Sequence, residues 1–219
     1  VSEERVWSEF RRILEGGNAA EILERMRKDG MLSRILPGWD AHIDLQHLLM
    51  TPEENTFACR LVLLASKTPH ERWRRLEHDL RVLKLSNQER GLVMNLHRLL
   101  GHLPSDISEY RLYRADVDGL IGTHLAIEDV LNPIQVENVR ESLAALAPLQ
   151  AGNDPLVDGH LLATVSGLSP GRRLGRLKEW LFRIQVEQDL PTSEDVLAHL
   201  ELLDWRSTDP ESWPDMRWP

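Results

Sequence analysis

Three small groups of residues in this 219-residue chain have types and spacings that can do chemistry. Asp116-x-Asp118 is a carboxylate pair of the kind that holds a divalent metal in phosphoryl transfer, which also needs a triphosphate cradle. No Gly-rich loop lies upstream of it, and Leu120 and Ile121 stand where a calcium loop requires an oxygen ligand and a glycine. The pair is therefore expected at a helix start or facing solvent. His78-Asp79, with His42, His47 or His70 upstream, suggests a metal set of the His…His-Asp…Asp kind. With nine histidines in the chain such a pair arises readily by chance, and no spacing singles out the remaining ligands. Cys59 sits between Phe57 and Leu61 with only Arg60 as a basic neighbour, the setting of a small core residue rather than a nucleophile. None of the three groups is expected to catalyse a reaction or hold a metal.

Two basic runs have the composition to hold phosphate instead. Ser169-Pro170-Gly171-Arg172-Arg173-Leu174-Gly175-Arg176-Leu177-Lys178 gathers Arg172, Arg173, Arg176 and Lys178 within two helical turns. Ser169 and Pro170 are expected to start the helix, leaving amide N–H groups and the positive end of the dipole to face an anion. Gly171 and Gly175, four apart, leave one face without a side chain to block close approach. Such a cluster neutralises phosphates without reading bases; its ordinary alternative is a solvated face, with Gly175 admitting a neighbouring helix. The second run, Lys67 to Arg98, carries eight Lys or Arg against four acids. Arg72, Arg74, Arg75, Arg81, Lys84 and Arg90 can meet phosphates along an extended path there. Trp73 can stack a base, but its helical spacing with Leu76 and Leu80 places it in the core. Arg5, Arg11 and Arg12 form a third, sparser group that needs no role beyond a charged face.

The elements that must carry these residues are helical. Thr51–Glu54, Thr68–Glu71 and Ser86–Glu89 each read as a capping box, and Pro52 and Pro69 fall at the first helical position. Apolar residues recur behind them at helical spacing, as in Phe57, Leu61, Leu64 and Leu92, Leu96, Leu99. Ser2 is expected to cap a helix burying Val6, Phe10, Ile13 and Leu14. Asn18 opens a second, with Ile22, Leu23 and Met26 inward and Gly30 as its stop, and Leu36-Pro37-Gly38 closes that unit. Asn132-Pro133 starts a helix with Ile134, Val139, Leu143 and Leu146 on one side. Pro148 to Pro155 reads as a linker, followed by helices over Asp158–Ala163, from Pro170, and over Ser193–Leu203. The end, with Trp205, Trp213 and Trp218, has no period and is either a packed tail or a frayed one. An all-α bundle with no significant sheet follows, divided as 1–50, 51–147, a linker at 148–157, and 158–219.

Composition bounds the rest. Hydrophobic residues make up 42% and charged residues 28%, ordinary for a globular protein. No apolar run reaches the ~20 residues that span a bilayer, and one cysteine excludes an internal disulfide and fits a reducing cytoplasm. The net charge of −9 argues at first against a polyanionic partner, but from Glu187 onward nine acids face only Arg206 and Arg217, so the remainder is nearly neutral. Charges are screened beyond about 8–10 Å, so a local basic patch can bind phosphate on an acidic protein. The first residue is Val1 and the chain enters helical sequence at once, suggesting a piece of something longer.

Three segments carry a family resemblance. Val1-Ser2-Glu3-Glu4-Arg5-Val6-Trp7-Ser8-Glu9-Phe10 with Ile13-Leu14, then Leu23-x-x-Met26-x-x-x-Gly30-x-Leu32-x-x-Ile35-Leu36-Pro37, resembles the neck of class II bacterial tRNA nucleotidyltransferases, the CCA-adding enzymes, and their poly(A) polymerase relatives. Leu83-Lys84-Leu85-Ser86-Asn87-x-Glu89-Arg90 is similar to a body motif of that family. Pro155-Leu156-Val157-Asp158-Gly159-His160-x-Leu162 and Pro170-Gly171-x-x-x-Gly175-x-Leu177 are similar to its tail. The segments run in the family's order over about residues 1–203. The tryptophans near both ends look most like the α-proteobacterial branch.

The resemblance implies that the parent protein is a transferase acting in tRNA processing, adding C, C and A to tRNA, or poly(A) to RNA, from CTP and ATP with Mg²⁺. Its catalytic head would precede Val1, so this chain alone would not polymerise and would need no cofactor. Its part is to hold the tRNA, or another RNA 3′ end, through Gly171, Arg172, Arg173, Arg176, Lys178, Arg75, Lys84 and Arg90, with no membrane involved. Two other readings stay open: a helical protein-interaction domain anchored by the Trp-rich tail, and an HD-type metal-dependent phosphohydrolase built on His78 and Asp79.

Overall fold

A computed structural model describes residues 2–37, 39, 55–66 and 72–219, and every regular element among them is helical, as an all-α bundle requires. In chain order the helices are α1 (Glu3–Glu15), α2 (Ala19–Lys28), α3 (Leu32–Ile35), α4 (Thr56–Leu64), α5 (Trp73–Val82), α6 (Asn87–Leu99), α7 (Ile107–Val117), α8 (Ile121–Leu131), α9 (Pro133–Ala145), α10 (Gly159–Ser166), α11 (Arg172–Gln188) and α12 (Ser193–Ala198). The capping pairs Thr51–Glu54 and Thr68–Glu71, with Pro52 and Pro69, lie outside the described residues, as do Gly38, His42, His47, Lys67 and His70. Contacts divide the chain into two compact units, Val1–His102 with Leu120–Val136, and Leu103–Gly119 with Glu137–Pro219. The expected boundary at 50/51 thus falls inside the first unit, and the stretch 148–157 inside the second.

In the first unit, α4 is apolar all round and is buried from Phe57 to Leu64, packed against α1 and α6. Its single charged residue, Arg60, donates from Nη1 to the carbonyls of Leu14 and Gly16 (2.8 Å to Gly16), satisfying groups that the end of α1 leaves free. Burial holds this guanidinium below its ordinary pKa, opposed by the neighbouring Cys59. α1 buries Trp7, Phe10 and Leu14, whereas the expected Val6 and Ile13 are only half-buried. Ser2 takes the N-cap position without a side-chain bond. α2 stops as expected: Gly30 is left-handed (φ 69°), Met31 N–H donates to Met26 O at 2.8 Å and Gly30 N–H to Arg27 O at 3.1 Å. Its Ile22, expected inward, is exposed. α6 begins with the complete Ser86–Glu89 capping box.

The second unit is organised by α11, whose Leu174, Leu177 and Leu181 form the buried stripe facing a core with Val157, Leu162, Val196 and Leu200. α11 packs against α7, α10 and α12. Asp106, Asp158 and Thr192 cap α7, α10 and α12 with side-chain oxygens. Pro148 to Pro155, read as a linker, is bonded to α11 and the residue that ends it. Gln185 Nε2 donates to Asp154 O at 3.0 Å, its Oε1 accepts from Leu156 N–H at 2.9 Å, and Gln150 N–H donates to Asp189 at 2.8 Å. In α9 the buried residues are Val136 and Val139, while Ile134, expected inward, is 83% exposed. Among the described residues no helix is long and apolar enough to cross a membrane.

Candidate nucleic-acid interface

The basic cluster of α11 is assembled, but not as an open cradle. The helix starts at Arg172 with Gly171 as N-cap, two residues later than Pro170 implied. Arg173, Arg176, Trp180 and Arg183 recur at spacings of three and four, so they form one stripe. The C-terminal segment lies along it. Arg173 Nη2 donates to the carbonyls of Trp205 (2.6 Å), Arg206 (3.2 Å) and Thr208 (3.4 Å), and the guanidinium stands 5.4 Å from the Trp213 ring. Arg176 donates to Pro210 O at 3.3 Å, to Trp213 O and to Glu179. Arg183 Nη1 donates to Asp215 O at 2.9 Å, and its Nε to Glu187 at 2.8 Å. Trp180 and Trp213 rings meet at 5.5 Å.

The residues expected to form a phosphate cradle at 171–178 are thus partly engaged within the chain itself. Arg173 gives its Nη2 to three main-chain carbonyls, and Arg176 gives Nε and Nη2 to carbonyls and Nη1 to Glu179, so all three nitrogens of Arg176 are engaged within the chain. Arg172 pairs with Glu211 at 2.6 Å but is 78% exposed, and an exposed pair of this kind contributes at most about 1 kcal/mol. It remains available to a competing anion. Lys178 is half-buried. A Cβ added at Gly171 or Gly175 would meet nothing within 4 Å, so neither glycine admits a neighbouring helix. The tail is packed: Trp205, Trp213 and Trp218 are all buried, and Trp218 meets Tyr113 edge-on at 4.6 Å. Those tryptophans are therefore not an exposed anchor for a protein partner.

The run through α5 and α6 divides differently. Arg75 holds the buried Asp79 at 3.1 Å and reaches Pro37 O, Arg81 pairs with Glu77 at 3.1 Å, and Arg90 donates to Asn87 at 2.8 Å. Lys84 is exposed and left-handed (φ 63°), closing α5 with the pattern seen at Gly30: Leu85 N–H to Leu80 O and Lys84 N–H to Arg81 O. Arg72 and Arg74 are exposed, and among the described residues no ion pair holds either. Trp73, expected in the core, is instead 46% exposed, while Leu76 and Leu80 are fully buried. Arg74 stands 5.3 Å from the Trp73 ring centroid.

The three chemistry-bearing groups have structural roles. Asp116 Oδ2 accepts from Trp218 N–H at 2.9 Å and helps hold the tail, while Asp118 ends α7 exposed. Asp79 is buried between Arg75 and the Trp39 indole N–H (3.2 Å), and its neighbour His78 faces solvent. Burial pushes the Cys59 thiol up to about 12, far from thiolate character at neutral pH. Among the described residues no three His, Cys, Asp or Glu side chains converge as a metal site.

A buried polar pair went unread in the sequence. His124 and Glu128, one turn apart on α8, are both fully buried, with His124 Nε2 3.0 Å from Leu99 O and 3.6 Å from Glu128. Glu128 also accepts from Gly101 N–H at 2.7 Å and Asn132 Nδ2 at 3.1 Å. Burial pushes its carboxyl up, but the bonds from His124, Gly101 and Asn132 outweigh that and hold it below its ordinary value. The signal in the sequence is a His and a Glu four apart in a mostly apolar helix.

α1 to α3 present a charged outer surface of mixed sign. Arg11 donates to Glu15 and Glu89 and lies over the Phe57 ring; Arg12, Arg25, Arg27 and Lys28 have intrahelical carboxylate partners. Arg5 and Arg34 are exposed, and no ion pair holds either among the described residues. An open furrow of about 370 Å³, lined by Glu21, Ile22, Arg25, Met26, Asp29 and Met31, runs along α2. Residues 1–43, which contain all three helices, match the family described as the probable RNA and SrmB-binding site of polymerase A. That match supports a poly(A) polymerase-family RNA-binding region and RNA as a partner. No curated protein and no solved structure matches the chain.

Proposed function

We propose that this chain is the RNA-holding helical region of a nucleotidyltransferase of the poly(A) polymerase and CCA-adding kind, which positions an RNA 3′ end, that of tRNA foremost, for nucleotide addition. The observation that carries this is the family match over α1 to α3. The all-helical build and the exposed cations of α5 support it. In this reading, nucleotide addition belongs to a head domain using Mg²⁺ with CTP or ATP, and the helices contribute by holding the substrate where that chemistry occurs. Holding requires phosphate contacts and no base readout.

The test is a titration of labelled tRNA and a size-matched RNA duplex at several salt concentrations. Each neutralised phosphate contributes about −0.7 to −0.9 to the log–log slope. Binding with a slope of several such increments is expected, together with weaker binding to a tRNA whose 3′ end is folded into a hairpin. Absence of tRNA binding even at low salt would remove the RNA reading. Equal affinity for the blocked tRNA would remove the 3′-end assignment and leave RNA binding intact.

A further inference from the structure

We infer that the surface around Trp73 is a stacking site for an unpaired RNA base, with Arg72 and Arg74 meeting the adjoining phosphates; this rests on the RNA reading above and assigns it a place. All seven tryptophans are described, and Trp73 alone is exposed, the others being buried or half-buried. An indole that is 46% exposed forgoes much of the burial that a large aromatic normally gains. The stretch that carries it is cationic: from Arg72 to Lys84 the chain has Arg72, Arg74, Arg75, Arg81 and Lys84 against Glu77 and Asp79. Asp79 is buried and already held by Arg75, and Glu77 is paired with Arg81. Arg72, Arg74 and Lys84 are left as exposed positive charge in a protein whose net charge is −9.

An aromatic island among arginines fits a nucleic acid better than a protein partner. Protein-docking surfaces present contiguous apolar area, whereas single-strand binding needs an aromatic face for the base and cations for the backbone. The Arg74 guanidinium, 5.3 Å from the Trp73 ring centroid, keeps a cation at the ring, where it can meet the phosphate beside a base stacked on the other face of the indole. Only an unpaired base offers a free face, so the site selects single strands over duplex.

The experiment uses the full chain with labelled oligo(A) and a blunt RNA duplex. Trp73→Ala should weaken oligo(A) binding by roughly 5- to 150-fold, the span of one base–aromatic stack. Trp73→Phe should restore most of that loss, and neither change should move the salt slope. Arg74→Ala should reduce the slope by about 0.7. Duplex binding should respond to Arg74→Ala and be indifferent to Trp73→Ala. Circular dichroism should show unchanged helix content, because the indole is not a core residue. If the unaltered chain binds oligo(A) and Trp73→Ala binds it equally well, or loses duplex to the same extent, the stacking site is wrong while the RNA reading stands. If the unaltered chain binds neither RNA, both fall.

Discussion

Glu128 has no access to water, yet its bonding favours the charged form. Burial acts to raise its pKa, but Gly101 N–H and Asn132 Nδ2 donate to its carboxylate, His124 stands 3.6 Å away, and together they hold the folded pKa below the ordinary 4.5. A depressed carboxyl pKa stabilises the fold fully above the unfolded value and progressively less as pH falls through the folded one. Glu128→Gln should thus lower stability at pH 7 and flatten the acid limb of a stability–pH curve below about pH 4.5; denaturant midpoints between pH 3 and 7 check it, and an unchanged acid limb would refute it. Single residues were the least legible scale. Periodicity put Trp73 on the side of α5 that carries Leu76 and Leu80, but it reports the side of a cylinder and not how far along it the covering neighbours extend. Asp79 shows the reverse: its adjacency to His78 suggested metal chemistry, and burial beside Arg75 gave it a structural partner instead.

Helices were legible where caps and stops are local chemistry. Ser86–Glu89, Gly30 and Pro133 each mark an end because the deciding bond lies within a few residues. α11 was harder: its apolar stripe was readable, but its arginine stripe is defined by a segment some 30 residues downstream in sequence, beyond any local pattern. The end of α5 allows two roles of one residue to be separated. Lys84 occupies a left-handed position that costs a non-glycine residue about 1–2 kcal/mol. Lys84→Gly should therefore raise stability by about 0.5–1 kcal/mol after the extra chain entropy of glycine is counted, while any phosphate contact by the lysine is lost. A rise in denaturation midpoint with weaker tRNA binding is the expected pair of readouts. Unchanged affinity would remove Lys84 from the interface.

For the whole molecule, net charge was a poor guide because the acids are concentrated from Glu187 onward, and Glu211 and Glu187 pair with α11 arginines. The same segment turns its main-chain oxygens toward Arg173, Arg176 and Arg183. Arg173→Ala and Arg176→Ala should each cost about 1 kcal/mol through part-buried carbonyls left without donors, lowering Tm by a few degrees, with little change in tRNA affinity. Calorimetry beside the titration separates the outcomes, and an unaltered Tm with weakened binding would restore those arginines to the interface. Because the anchoring groups are peptide oxygens, which every residue possesses, this clasp is sensitive above all to the spacing of its anchors. Adding or deleting one residue between Trp205 and Trp213 would shift each acceptor away from its guanidinium and each indole out of its socket. The terminal stretch is therefore constrained in length far more tightly than in composition.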